Sequence, residues 1–61
     1  MCALKVVLNG KKVFYECIYA KIIDGKVLLK DVLGDIKELP NCYIEEINIG
    51  RKTLVLKSVE D

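Results

Sequence analysis

Short apolar runs rich in valine, isoleucine and leucine alternate with polar, glycine-containing breaks along the whole chain. "ALKVVL", residues 3–8, reads as a first strand, stopped by Asn9-Gly10. That dipeptide tolerates the positive backbone angles of a tight hairpin turn. "VFYECIYAKII", residues 13–23, is a longer run ending at a second hairpin signal, Asp24-Gly25. Regular alternation there sends Phe14, Glu16, Ile18, Ala20 and Ile22 to one face. It sends Val13, Tyr15, Cys17, Tyr19, Lys21 and Ile23 to the other. Both sets contain apolar residues, so either both faces are partly covered or a bulge changes the register. "KVLLKDVL" (residues 26–33), "DIKEL" (35–39), "YIEEINI" (43–49) and "TLVLKS" (53–58) complete the pattern, separated by Gly34, Pro40-Asn41 and Gly50.

A helical alternative exists for residues 41–49, because Ile44 and Ile47 stand three apart and one 3₁₀ turn would place them together. Elsewhere glycines and β-branched residues argue against helix. Five or six short antiparallel strands in one domain, residues 1–61, predict an all-β fold, a small SH3-like barrel that limits open edges. The expected core is Val6, Leu8, Ile18, Ile22, Val27, Leu29, Ile47, Leu54 and Leu56. A one-residue register slip would reverse any of these strands.

Composition adds a size argument. A chain of 61 residues hides only about 60% of its unfolded surface, so a single-chain core is marginal. With 52% hydrophobic residues there is apolar surface to spare, which favours a homodimer. Ten basic against nine acidic residues give a net charge of +1, without the basic excess usual for binding a duplex backbone. Lys11-Lys12 and Arg51-Lys52 sit beside glycines and read as solvated hairpin tips. No apolar run approaches the roughly 20 residues of a membrane span, and no signal sequence is evident. Three cysteines are an odd number for a disulfide framework, so the expected setting is a reducing cytoplasm.

Candidate chemistry is sparse. Histidine is absent, which removes the commonest general base, and no phosphate-binding glycine loop or CxxC pair occurs, so the chain is not expected to be an enzyme. Cys17 lies mid-strand and reads as a small buried side chain. Cys42 follows a turn, where packing beneath the loop and a more exposed thiol are both open readings. Tyr15 and Tyr19, four apart with Lys21 following, could form a stacking platform for single-stranded RNA. They could equally be part of a core or a dimer surface.

Cys2 needs neither a strand nor a turn to explain it. If Met1 is removed, the new terminus presents an amine and a thiol on adjacent carbons, which close a five-membered chelate ring on a metal. If Met1 stays, its amine, the Cys2 amide nitrogen and the Cys2 thiolate can still bind together. Nitrogen combined with soft sulfur suits Ni(II) or Cu(II) in square-planar geometry. One chain supplies too few donors, but a twofold dimer joining two termini would supply two thiolates and two nitrogens.

"MC" with "KVVL" at the start, "VLGDI" in the middle and "IEEINIGRKTLVL" at the end resemble the small CooT-like family. The resemblance runs through nearly the whole chain, and the opening is its most specific part. Members of that family include nickel-binding accessory proteins for carbon monoxide dehydrogenase maturation, and many others are labelled predicted RNA-binding proteins. The resemblance implies a homodimer of SH3-like barrels holding Ni(II) through the cysteine matched here by Cys2, a metallochaperone that delivers metal to an enzyme. Cys17 and Cys42 are thiols that the family's nickel pattern does not require.

Overall fold

The computed structural model describes residues 3–59. Six strands follow one another: β1 (Leu4–Leu8), β2 (Lys11–Ile23), β3 (Lys26–Asp31), β4 (Ile36–Pro40), β5 (Cys42–Asn48) and β6 (Thr53–Ser58). The fold is all-β, and the helical alternative around residue 44 gives way to strand β5. Among the described residues no helix is long and apolar enough to cross a membrane. The two hairpin signals act as expected. Asn9 and Gly10 have φ of 51° and 83°, and Asp24 and Gly25 have 49° and 77°, the paired positive angles of a type I′ turn.

The strands make one sheet in the order β4-β3-β2-β1-β6-β5. The expected all-antiparallel pairing is corrected at its centre, where β1 and β6 run parallel with Val6 opposite Leu54 and Leu8 opposite Leu56. The expected SH3-like barrel is also corrected, because this sheet does not close. Its two edge strands, β4 and β5, are consecutive in sequence with only Asn41 between them. A tight hairpin needs about two loop residues, so β5 cannot fold back along β4. Asn41 instead takes φ of 56° and the chain crosses to β6. The corner is pinned by Cys42 N donating to Gly25 O at 3.3 Å and by Val59 N donating to Asn41 O at 2.7 Å.

A single sheet has no second layer to cover its apolar face, so it buries a core by curling. The curl comes from bulges, and in β2 all of them place the extra residue on that strand. Between Leu4↔Cys17 and Val6↔Phe14, three steps of β2 oppose two of β1. Between Val6↔Phe14 and Val7↔Lys12 the count is again one longer on β2. On its other side, Cys17↔Asp31 and Tyr19↔Lys30 bracket a third extra residue, Ile18. Glu16 sits at φ of 54° within this stretch. Each bulge bends the strand and increases its twist.

The enclosed core consists of Val6, Cys17, Val27, Leu29, Cys42, Leu54 and Leu56, with Leu4, Leu8, Val13, Phe14, Ala20, Leu39 and Ile44 packed around it. Three expected core members are corrected. Ile18, Ile22 and Ile47 are 44%, 51% and 56% exposed. The bulge at Ile18 breaks the period of two, so Cys17 and Ala20 both face the core although their positions differ in parity. Ile22 shares a face with Val27 but lies next to the Asp24-Gly25 turn, at the rim of the curl. Ile47 pairs with buried Leu54 on an edge strand that no further strand covers.

Candidate functional site

The bend of β2 and the divergence of β5 leave an apolar groove of about 240 Å³ where a closed barrel would have a wall. Ile18, Tyr19 and Ala20 of β2 form one side, and Ile44 and Ile47 of β5 form the other. Leu4, Cys17 and Leu54 complete the lining. Leu4 is opposite Cys17 in the β1–β2 ladder, and Lys5 N donates to Lys52 O at 2.8 Å. The start of β1 is therefore set into one end of the sheet, between β2 and the β5–β6 turn. Strand β1 thus begins, at Leu4, on the edge of the groove.

Two turns flank that end. The β3–β4 turn is rigidly built: Asp31 Oδ1 accepts hydrogen bonds from Leu33 N and Asp35 N, both at 2.9 Å, and Gly34 N donates to Asp31 O at 3.0 Å. Val32 N ties the turn to β2 by donating to Glu16 O at 3.1 Å. The result holds Leu33 outward, 84% exposed. On the other side, Asn48 Oδ1 accepts from Arg51 N at 2.9 Å, and Thr53 Oγ1 donates to Arg51 O at 3.0 Å. These bonds fix the backbone at Arg51. Its side chain borders a second, polar depression with Glu46, Asn48 and Thr53.

The predicted metal residues Met1 and Cys2 lie outside the described residues. Among the described residues no cluster of three or more cysteine, aspartate or glutamate side chains could hold a metal. Cys17 and Cys42 are free and buried. The Cys17 thiol donates to Tyr19 O at 3.2 Å, and the Cys42 thiol donates to Leu39 O at 3.1 Å. Burial pushes the Cys42 thiol above its ordinary range, partly offset by a backbone hydrogen bond at Val27, so it is a poor thiolate donor at neutral pH. The packed reading of both cysteines is the one observed.

Tyr15 and Tyr19 are both exposed, as is Lys21. The bulged residues Glu16 and Ile18 lie between the tyrosines, so their spacing is not that of a regular strand. Tyr19 stands in a cross-strand row with Lys30 and Ile36, and Lys21 in a row with Leu28 and Glu38. The sequence pattern did not single out the groove or the Leu33 tip. The tip carries a visible signal, two apolar residues enclosed by Asp31 and the Gly34-Asp35 pair, but continuous strand pattern through Leu33 obscures it. A scan against models of known protein families and a search of curated proteins find no match to this chain.

Proposed function

We propose that this protein is a CooT-like nickel carrier: a cytoplasmic homodimer that binds Ni(II) through Cys2 and passes it to a nickel enzyme such as carbon monoxide dehydrogenase. The observation that carries the reading is where the chain joins the sheet. Leu4 borders an apolar groove open to a partner, and Cys2 precedes it by two residues. The two described thiols are buried and hydrogen-bonded, which leaves Cys2 as the candidate sulfur donor. Its thiolate, with nitrogen donors of the Met1–Cys2 segment, makes half of a square-planar site that suits Ni(II). A twofold axis beside the groove supplies the other half. Nickel here is cargo, and no catalytic step is assigned to the chain. Equilibrium dialysis of the reduced protein against Ni(II) tests the donor. Cys2→Ser should lose nickel while keeping its fold and dimer. Stoichiometric nickel in that variant would move the site to Cys17 or Cys42.

A second reading rests on the exposure of Tyr15, Tyr19 and Lys21. In it the outer face of β2 stacks bases of single-stranded RNA. Replacing both tyrosines by alanine should then weaken RNA binding by about 1–3 kcal/mol per stacked base. Unchanged affinity in the folded double variant disposes of that alternative.

A further inference from the structure

The chain as a whole carries a net charge of +1, but strand alternation does not share its charges evenly between surfaces. Val6, Leu54 and Leu56 are buried in the core. Their strand neighbours Lys5, Val7, Val55 and Lys57 therefore point to the outer side of the sheet. The ladders extend that outer face sideways. Lys12 of β2 is opposite Val7, Val7 is opposite Val55, and Val55 is opposite Glu46 of β5. Lys57 is opposite Tyr43, and Lys5 is opposite Thr53, whose other neighbour is Asn48. Arg51 joins the same face, because it lines the polar depression with Glu46, Asn48, Thr53 and Val55.

These rows are basic. Four cations, Lys5, Lys12, Arg51 and Lys57, stand around one facing carboxylate, Glu46. Glu16 and Glu45 sit at bulges on the two borders of the face, and Lys52 lies in the turn at its end. Among the described residues the one ion pair joins Lys26 to Glu38, on β3 and β4, so none of the four cations is neutralised at close range. The centre of the face is apolar. Val7 and Val55 are partly exposed there, and neither belongs to the core or to the side chains packed around it. An apolar centre inside a charged rim is the anatomy of a contact between proteins. Single-stranded nucleic acid calls instead for aromatic rings on which bases stack. In these rows the ring is Tyr43, at a corner beside Lys57, and not between the lysines.

We propose that the outer face of β1, β6 and β5 docks an acidic protein surface: carboxylates of the partner meet Lys5, Lys12, Arg51 and Lys57 while its apolar side chains cover Val7 and Val55. No part of this surface depends on nickel. Only the partner's identity rests on the carrier reading, which makes it the client enzyme. Four strands about 4.8 Å apart, each contributing five residues of about 3.3 Å, give a flat area of roughly 300 Å². That is well below the roughly 800 Å² per partner of a standard interface. The contact is therefore weak, electrostatically steered and salt-dependent, as a step that must release its partner requires.

Nuclear magnetic resonance of the reduced, metal-free, isotope-labelled protein tests this surface. The probes are a synthetic peptide of repeated Glu-Glu-Leu units and an oligouridylate of equal charge. The peptide should shift the amides of Lys5, Val7, Val55 and Lys57, and its dissociation constant should rise steeply with salt. Lys12→Glu and Lys57→Glu should each weaken it at least about fivefold. Both side chains are exposed, so the far-ultraviolet circular dichroism of these variants should match the wild type. Lys30→Glu, on the outer side of β3, is the control and should bind the peptide like the wild type. No peptide binding at low salt, or shifts centred elsewhere, overturns the proposal. An equal loss in Lys30→Glu overturns it too, because the attraction is then diffuse. Tighter binding of the oligouridylate on the same face assigns it to nucleic acid instead. Nickel titration keeps this proposal apart from the carrier reading. A wild type that takes no nickel but binds the peptide on this face defeats the carrier alone. A wild type that takes nickel but ignores the peptide defeats the docking face alone.

Discussion

Truncating Leu29 and Ile22 to alanine should separate two residues that a simple alternating pattern treats alike. Both were expected in the core, and through the β2–β3 ladder they lie on the same face, Leu29 opposite Ala20 and Ile22 opposite Val27. Leu29 is fully buried, whereas Ile22 is 51% exposed. Removing the Leu29 side chain loses its whole transfer free energy and opens a cavity, costing about 2–5 kcal/mol. Ile22 forfeits roughly half of a 1.5–3 kcal/mol burial term and leaves no enclosed void, so its loss should be about 1 kcal/mol. A chain of 61 residues has a total stability of roughly 3–9 kcal/mol. Leu29→Ala therefore approaches the limit of foldability, and Ile22→Ala does not. Urea denaturation followed by circular dichroism reads the difference as a midpoint shift. With m near 1 kcal/mol/M for so small a chain, Leu29→Ala should lower the midpoint by about 2 M or more. All variants must be compared at one protein concentration, because a dimer's apparent stability depends on it. Equal losses for the two truncations would refute the placement of Ile22 at the open rim of the curl.

Asp31→Ala should cost about 0.5–1.5 kcal/mol for each of the two exposed hydrogen bonds it loses, and hydrogen exchange at Leu33 and Asp35 should accelerate. Asp31→Asn keeps an oxygen acceptor and should restore much of the protection. Glu16, at φ of 54°, should tolerate glycine with a gain of up to about 1 kcal/mol, while Glu16→Val should be destabilising. The raised Cys42 pKa means that its contribution to stability is complete below the unfolded thiol value of 9.0 and is lost as pH rises through the higher folded value. Urea midpoints should accordingly fall more steeply above pH 9.0 in the wild type than in Cys42→Ala.

The parts legible in the sequence were those with local chemistry. Asn9-Gly10 and Asp24-Gly25 specify their turns through backbone freedom, and the valine-rich runs specify strands. Six of the nine expected core residues were read correctly or nearly so, most of them where a strand keeps its period. Val27 and Leu29 lie in such a strand, as do Leu54 and Leu56. Ile18 was misplaced because a bulge has no obligatory residue, and Glu16 holds its left-handed angle without being glycine. The open barrel was hidden for a different reason. It depends on Asn41 being a one-residue connection, which becomes visible only when β4 is seen to reach Pro40 and β5 to start at Cys42. The groove follows from both of these non-local facts, so no residue pattern announces it. Cys2 is the opposite case: its chemistry can be read from the sequence, while its placement falls outside the described residues.

The central claim is that two Cys2 thiolates share one nickel ion. A titration of the reduced protein with Ni(II), followed by ultraviolet–visible absorption with Cys2→Ser alongside, tests it most directly. The account predicts thiolate-to-nickel charge-transfer bands that saturate at about one metal per two chains and are missing in the variant. Bands absent from the wild type, or equally strong in Cys2→Ser, would contradict it.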